Sequence, residues 1–171
     1  QYTPPKSVGN GFTFPRNLQG REEIRGGITQ LSDHVAARLR LCGMKCQGVS
    51  LAIRDPDFHD ISRQTRLDTP TYLGRELARS AMALADQCWS MDRPVRALTV
   101  TAIYLIPAEE AAAQLELWDA PRQHQRERRE RLEQAMDAIR AKYGGRAIQP
   151  ASAPRNTAST GHDPFPDREG T

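Results

Sequence analysis

The chain has 171 residues, of which 38% are hydrophobic and 6% aromatic, and its formal net charge is +3 at pH 7. This length allows one domain with an appendage and excludes a core too small to fold without disulfides or metal ions. The mildly basic balance permits nucleic acid as a partner without requiring it, and no apolar run is long enough to span a bilayer. The three cysteines form no CxxC pair, so we expect free thiols, no metal site and a cytoplasmic location.

The amino-terminal segment predicts a strand followed by a helix. Residues 6–16, KSVGNGFTFPR, read as a strand, and its glycines at positions 9 and 11 permit a bulge or the close approach of a ligand. From residue 21 to residue 43 apolar side chains recur at steps of three and four, which is the helical period. Gly43 stands where a left-handed residue ends such a helix.

A hairpin is predicted next. Residues 48–54, GVSLAIR, alternate as a half-buried strand, and residues 58–67 form the returning strand. Between them Asp55 and Asp57 flank a proline in a tight turn. We interpret these two carboxylates as turn-stabilising groups and not as a catalytic or metal-binding pair.

The motif DTPT then predicts the start of a second helix, with Thr69 or Thr71 as its cap, and residues 94–105 predict a last, β-branched strand. The order β-α-β-β-α-β is that of the ferredoxin-like sandwich and its relatives. We therefore expect an α+β domain with a four-stranded sheet and two helices on one face. The opposite face of the sheet is left for a ligand.

The pattern changes beyond this domain. The helical stripe of Leu132, Met136, Ile139 and Tyr143 predicts one further helix, and the Pro-, Ser- and Thr-rich end predicts disorder. The predicted division is a linker at 1–5, a globular domain at 6–105, a linker at 106–121, a helix at 122–144 and a disordered tail at 145–171.

The motif ISRQTR places phosphate-binding side chains together on the third strand. Hydroxyl, amide and guanidinium groups hold a nucleic-acid backbone without reading bases. The alternative is a solvated edge strand with no ligand, which has a similar composition. Strand parity puts Arg63 and Arg66 on opposite faces, so the sequence leaves open which of them reaches a ligand.

Four segments together resemble a known family: KSVGNGFTFPR, HVAARLRLCGMKCQGVSLAIR, FHDISRQTRLDTPT and PVRALTV. They are similar, in order and spacing, to the little-finger domain of bacterial Y-family translesion DNA polymerases of the DNA polymerase IV type. The resemblance implies damaged-DNA binding in DNA repair. The DNA-binding residues that it implies are Lys6, Ser7, Gly9, Thr13, Arg16, Ser62, Arg63, Gln64, Thr65 and Arg66.

The family also carries a short peptide that binds the ring-shaped sliding clamp, and QLELW at 114–118 resembles it. The resemblance implies that Leu115, Leu117 and Trp118 enter an apolar pocket on the clamp while Gln114 bonds at its rim. The alternative is that this segment packs back on its own domain.

The resemblance implies a monomeric domain that grips the backbone of primer-template DNA without sequence preference and is tethered to the clamp. The family's catalytic carboxylates lie in a palm domain that no segment here resembles. We therefore expect no enzymatic activity and no cofactor for this chain, and a Mg²⁺-dependent nucleotidyltransferase for its parent. The alternative from a different class is a stand-alone protein-interaction module built on a ferredoxin-like sheet.

Overall fold

The computed structural model describes residues 3–115, 120–145 and 147–148. Strands and helices in the described ranges follow the predicted β-α-β-β-α-β order, and two further helices come after them. The elements are β1 Ser7–Leu18, α1 Gly20–Leu41, β2 Met44–Arg54, β3 Asp60–Thr71, α2 Gly74–Cys88, β4 Val95–Pro107, α3 Ala108–Leu115 and α4 Ala120–Tyr143. None of the helices in these ranges is both long and apolar enough to cross a membrane.

The four strands form one antiparallel sheet in the order β1-β4-β2-β3. The two β-α-β units are interleaved, because β4 lies between β1 and β2 while β2 lies between β3 and β4. The centre of the sheet is therefore formed by β2 and β4, and its edges by β1 and β3. The predicted α+β fold with a four-stranded sheet is confirmed.

Helices α1 and α2 cover one face of the sheet and form the core with it. Ile28 and Val35 of α1 and Leu77 of α2 are fully buried, as are Val49 and Val100 on the two central strands. These apolar side chains recur at the helical period on α1 and at every second residue on the strands, as an amphipathic helix over a half-buried sheet requires. Neither helix covers the other face of the sheet.

The second helix begins later than the sequence predicts. Residues 68–71 continue β3, whose Thr71 pairs with Cys46, and α2 starts only at Gly74. Pro70 is tolerated there because β3 is an edge strand with an irregular register, so the missing N–H breaks no regular pairing. The prediction of Thr69 or Thr71 as helix cap is wrong, since Leu73 holds that position and makes no side-chain cap bond.

Part of the segment predicted as a linker, 106–121, is ordered as structure. Residues Ile106 and Pro107 extend β4, and α3 follows at once. Ala111 on α3 is fully buried, and the N–H of Ala108 donates to the carbonyl oxygen of Gly43 at 2.9 Å. An alanine-rich segment loses little side-chain entropy when it forms a helix. The buried Ala111 attaches this helix to the domain.

Candidate nucleic-acid interface

The face of the sheet away from α1 and α2 carries mostly small or polar side chains, with charged ones toward its β3 edge. Residues directly opposite each other in an antiparallel pair share a face, so the registers define the members of this surface. We call it the open face: Ser7, Gly9, Gly11 and Thr13 of β1, Ala97, Thr99, Thr101 and Ile103 of β4, Gly48, Ser50, Ala52 and Arg54 of β2, and Asp60, Ser62, Gln64 and Arg66 of β3.

The glycines of β1 lie directly beside threonines of β4. A Cβ atom added at Gly9 would stand 2.8 Å from Oγ1 of Thr101, and Gly11 faces Thr99 in the same way. The two glycines therefore leave room for threonine hydroxyls to lie across the neighbouring strand. A shallow depression of about 400 Å³ adjoins Gly11, with Ala52 and Ser62 on its far side.

Arg66 is held on the open face by an aromatic ring. Its guanidinium carbon lies 4.3 Å from the ring centroid of Tyr104, a cation–π contact. The side-chain amide of Gln64 donates to the Tyr104 hydroxyl at 3.2 Å. The three side chains form one cluster, in which a cation and two polar groups face solvent.

Strand parity alone would assign Tyr104 to the helix face, because Ala102 is fully buried there. The backbone of Tyr104 instead has a φ of 55°, in the left-handed region, and its ring contacts side chains of the open face. Sequence reasoning missed this residue because no residue type in YLIP marks a tyrosine as left-handed. Its aromatic character was the only available signal.

Arg63 lies on the opposite side of β3. It pairs with Leu51, whose side chain is buried beneath the helices, and its guanidinium donates to the carbonyl oxygen of Ser62 at 2.8 Å. Burial raises the pKa of the Cys88 thiol on α2, and the nearby Arg63 guanidinium opposes that rise. Thr65 is paired with the buried Val49 and so shares the side of Arg63.

The structure brings together some of the predicted DNA-binding residues and separates others. Those that share the open face are Ser7, Gly9, Thr13, Ser62, Gln64 and Arg66. Lys6 is exposed just before β1. Arg16 lies beyond the register shift of β1 and forms a bidentate ion pair with Glu23 at 2.9 Å, and this hydrogen bonding lowers the pKa of Glu23. The guanidinium of Arg16 is therefore already engaged.

The hairpin end of the open face carries a second arginine with a carboxylate partner. Arg54 and Asp60 form a bidentate pair at 2.7 and 2.9 Å. In the adjoining turn the buried Asp55 accepts backbone N–H bonds from Asp57 at 2.9 Å and His59 at 3.0 Å. The carboxylate of Asp55 thus performs the turn role that the sequence predicts.

The predicted clamp-binding residues fall at the end of α3. Gln114 is exposed in its last turn, and Leu115 is its last residue. Leu117 and Trp118 lie outside the described residues, as does the predicted tail beyond residue 148.

Comparison with known proteins gives consistent matches. The family model described as the impB/mucB/samB family C-terminal domain matches residues 5–117. A DNA polymerase IV of Acetivibrio thermocellus is 33% identical over 141 residues, which cover 82% of this chain and 35% of that protein. A DNA polymerase IV of Pelotomaculum thermopropionicum is 34% identical over 143 residues, which cover 84% of this chain and 34% of that protein.

One solved structure is described as a complex of the beta-clamp processivity factor and the little finger domain of PolIV. Its matching chain is 18% identical, with a TM-score of 0.49, and the match covers 59% of this chain and 90% of that one. The chain spans about a third of the length of the curated relatives it matches.

Proposed function

Because the chain belongs to the impB/mucB/samB family of C-terminal domains, we propose that its open face grips the backbone of primer-template DNA for a lesion-bypass DNA polymerase. The observation that carries this proposal is the placement of Arg66, Gln64 and Ser62 on one uncovered surface with the threonines of β4. Guanidinium, amide and hydroxyl donors hold phosphates without reading bases. Such a grip tolerates a damaged template, because it makes no demand on base identity.

The arrangement of the face supports a contact with a backbone in preference to single bases. Neighbouring strands are about 4.8 Å apart, so its donors form a broad, flat array and not a pocket. The middle of the open face carries small side chains, Ser50 and Ala52 on β2 and Thr99 and Thr101 on β4. Gly9 and Gly11 on the edge strand β1 add no side chains of their own, so a duplex can approach these strands closely. Arg66 at one edge then supplies a positive charge for a phosphate.

Arg66 and Arg63 provide a matched test, since both are exposed arginines of β3 on opposite sides of the sheet. We expect Arg66→Ala to weaken binding of a labelled primer-template duplex, measured by fluorescence anisotropy at several salt concentrations. Loss of one phosphate contact lowers the slope of log affinity against log salt by about 1. Arg63→Ala removes the same charge from the other side of the sheet, and we expect this variant to bind the duplex as tightly as the unmodified chain does.

Two results would contradict this assignment. Equal weakening by both substitutions would indicate attraction by net charge alone, and salt-insensitive binding would argue against phosphate contacts. Circular dichroism and melting temperature of both variants show whether the fold is kept. A duplex of unrelated sequence should bind with the same affinity.

We also propose that nucleotide transfer, with its Mg²⁺, belongs to a part of the parent protein outside this chain. The relatives named DNA polymerase IV are almost three times as long as the matched region, which supports this division. A primer-extension assay with this chain, Mg²⁺ and nucleotides should give no elongated product, while the full-length parent should extend the primer. Extension by the chain alone would overturn the proposal.

The peptide QLELW is proposed to tether the domain to a sliding clamp through Leu115, Leu117 and Trp118. A small apolar anchor on a peptide that must become ordered gives modest affinity, with a Kd roughly in the micromolar range. A labelled peptide of residues 111–122 should bind a purified bacterial clamp, and Trp118→Ala should abolish that binding. Glu116→Ala is the matched control, because that position alternates with the apolar ones in the motif.

A further inference from the structure

Helix α4 lies against the domain mainly through charged side chains, while three of the four residues of its apolar stripe are exposed and the fourth, Met136, is half-buried. Leu132 is 61% exposed, Ile139 38% and Tyr143 63%. The buried apolar residues, among the residues described, lie between Val8 and Ala111, so α4 contributes none of them. The domain core is therefore complete without α4, and the contact between the two is mainly ionic.

Two cations of the domain are buried beneath the acidic side chains of α4. The side chain of Arg40 on α1 is only 4% exposed and forms ion pairs with Glu133 and with Asp137, whose two oxygens lie at 2.5 and 2.9 Å from it. The ammonium of Lys45 on β2, 5% exposed, lies 2.8 Å from a carboxylate oxygen of Glu130. Three acids of α4 thus neutralise two buried cations of the domain.

Cations of α4 make reciprocal contacts at both ends of the same face. Arg126 donates to the carbonyl oxygen of Pro70 at 2.6 Å and pairs with Glu76 at 3.1 Å. Arg140 pairs with Asp33 at 2.9 Å. The face of α4 that touches the domain therefore carries charged contacts at both ends and in its middle, with Gln134 as a neutral donor to the Tyr72 hydroxyl between them.

An acidic side chain of α4 also caps the amino-terminal end of α2. The carboxylate of Glu133 accepts the backbone N–H of Gly74 at 3.1 Å, at a helix terminus that has no side-chain cap of its own. Burial raises the pKa of Glu133, and the adjacent Arg40 opposes that rise. Removing both charges from water costs nearly as much as their attraction returns, so a helix held in this way is only marginally bound.

We propose that α4 is an ionic latch that docks on Arg40 and Lys45 and is released by salt or a competing anion. Salt screens the docked, buried pairs only weakly but stabilises the charges that release exposes to solvent, so rising ionic strength favours release, whereas it does not weaken an apolar interface. Release exposes the two cations and leaves the domain core folded. A helix attached by its apolar stripe would show the opposite salt response.

The latch has a consequence for the clamp peptide, and this step rests on the clamp contact proposed above. Only residues 116–119 join α3 to α4, and α3 is attached to the domain through Ala108 and the buried Ala111. With α4 docked, the helices on both sides of residues 116–119 are attached to the same domain. With α4 released, only the α3 end is held, and the peptide gains the freedom to enter a pocket on another protein.

The first test is hydrogen exchange of α4 amides in the full chain at low and high salt. The latch variant is Glu133→Gln with Asp137→Asn, which leaves Arg40 buried without an anion. The control is Glu22→Gln with Glu127→Gln, which removes the same charge from two exposed ion pairs. We expect the exchange rate of α4 amides to rise at least about tenfold in the latch variant, because breaking a buried ion pair is costly. In the unmodified chain we expect the same exchange rate to rise with salt.

The β2 and β4 amides should be unchanged in all three proteins, which separates release from unfolding. Salt-independent exchange in the parent chain, or equal exchange in the latch and control variants, would overturn the latch. The second test compares clamp affinity of the isolated 111–122 peptide, the parent chain and the latch variant. We expect the parent chain to bind more weakly than the peptide, and the latch variant to approach it.

The outcomes of the second test separate the two proposals. If the isolated peptide fails to bind the clamp, the clamp contact is wrong, and the latch is still judged by exchange. If the peptide binds and the parent chain binds equally well at low salt, the latch does not restrain the peptide and that inference is wrong.

Discussion

The guanidinium carbon of Arg66 on β3 lies 4.3 Å from the ring centroid of Tyr104 on β4, across the strand β2 that separates the two in the sheet. A long arginine side chain in solvent normally samples many rotamers, and ordering it on a phosphate costs entropy. The ring restricts that motion in advance, while Gln64 fixes the ring through its hydroxyl at 3.2 Å. The cation–π contact therefore prepares Arg66 for an anion and keeps its charge in water.

We expect Tyr104→Ala to weaken DNA binding about two- to fivefold, which corresponds to the roughly 0.5–1 kcal/mol of an exposed cation–π contact. The charge of Arg66 remains, so the slope of affinity against salt should be unchanged. Tyr143→Ala is the control, because Tyr143 is also exposed beside a cation, Lys142 at 5.3 Å, but lies on α4. A change of salt slope in Tyr104→Ala would argue against a positioning role for the ring.

Gly48 allows the same cluster to form from the neighbouring strand. A Cβ atom there would stand 2.8 Å from Cδ2 of Tyr104 and 2.9 Å from Cγ1 of Ile103, and 3.1 Å from a backbone oxygen. We expect Gly48→Ala to displace the ring of Tyr104, weakening DNA binding and lowering the melting temperature. Anisotropy and thermal unfolding measure the two effects. Unchanged DNA affinity would show that the ring position is unimportant for Arg66.

The order of the elements was predictable because hydrophobic periodicity reports burial directly. The stripe of α1, with Ile28 and Val35, and the alternation of β2 both match the buried residues of the structure. Strand parity likewise separated Arg63 from Arg66, although only the register shows which of the two shares the open face. A regular pattern needs no tertiary information, whereas the identity of the covered face does.

Predictions failed where tertiary contacts override local signals. DTPT carries the residues of a helix cap, yet pairing of Thr71 with Cys46 keeps it in the edge strand. The left-handed Tyr104 breaks parity within β4. The attachment of α4 to the domain could not be predicted from the sequence, because a charged helix face normally faces water. Only the burial of Arg40 and Lys45 in the structure shows that the acidic face of α4 packs on the domain.

The turn between β2 and β3 predicts a dependence of stability on pH. The hydrogen bond from the N–H of His59 is the largest contact that lowers the pKa of Asp55, and Arg93 also donates to this carboxylate at 3.1 Å. A lowered pKa adds stability above the ordinary aspartate pKa of about 3.9, and that stability is lost as pH falls through the folded-state value. We expect Asp55→Asn to melt at a lower temperature than the parent chain at neutral pH.

The difference in melting temperature should begin to shrink as pH falls below about 4, where Asp55 of the unfolded chain becomes protonated, and should vanish below the lower pKa that Asp55 has in the folded state. Asp57→Asn makes the same change of charge at an exposed position of the same turn and should have a small effect. A gap between Asp55→Asn and the parent chain that stays constant down to acid pH would show that the charge of Asp55 does not stabilise the turn.

Phe58 occupies a backbone position that favours glycine. It follows Pro56 and Asp57 in the loop, its φ is 66°, its N–H donates to the carbonyl oxygen of Asp55 at 3.2 Å, and its side chain is 76% exposed. Three-residue hairpin loops commonly end in such a left-handed residue, where a side chain adds strain of about 1–2 kcal/mol. Glycine removes that strain but gives the unfolded chain more conformational freedom, which offsets about 0.5–1 kcal/mol of the gain in stability.

We therefore expect Phe58→Gly to stabilise the domain by about 0.5–1 kcal/mol and to raise its melting temperature by a few degrees. Phe58→Ala keeps the strained backbone and removes the same exposed ring, so it should not stabilise the domain. If both variants stabilise it equally, the exposed ring and not the backbone is the unfavourable feature of this turn.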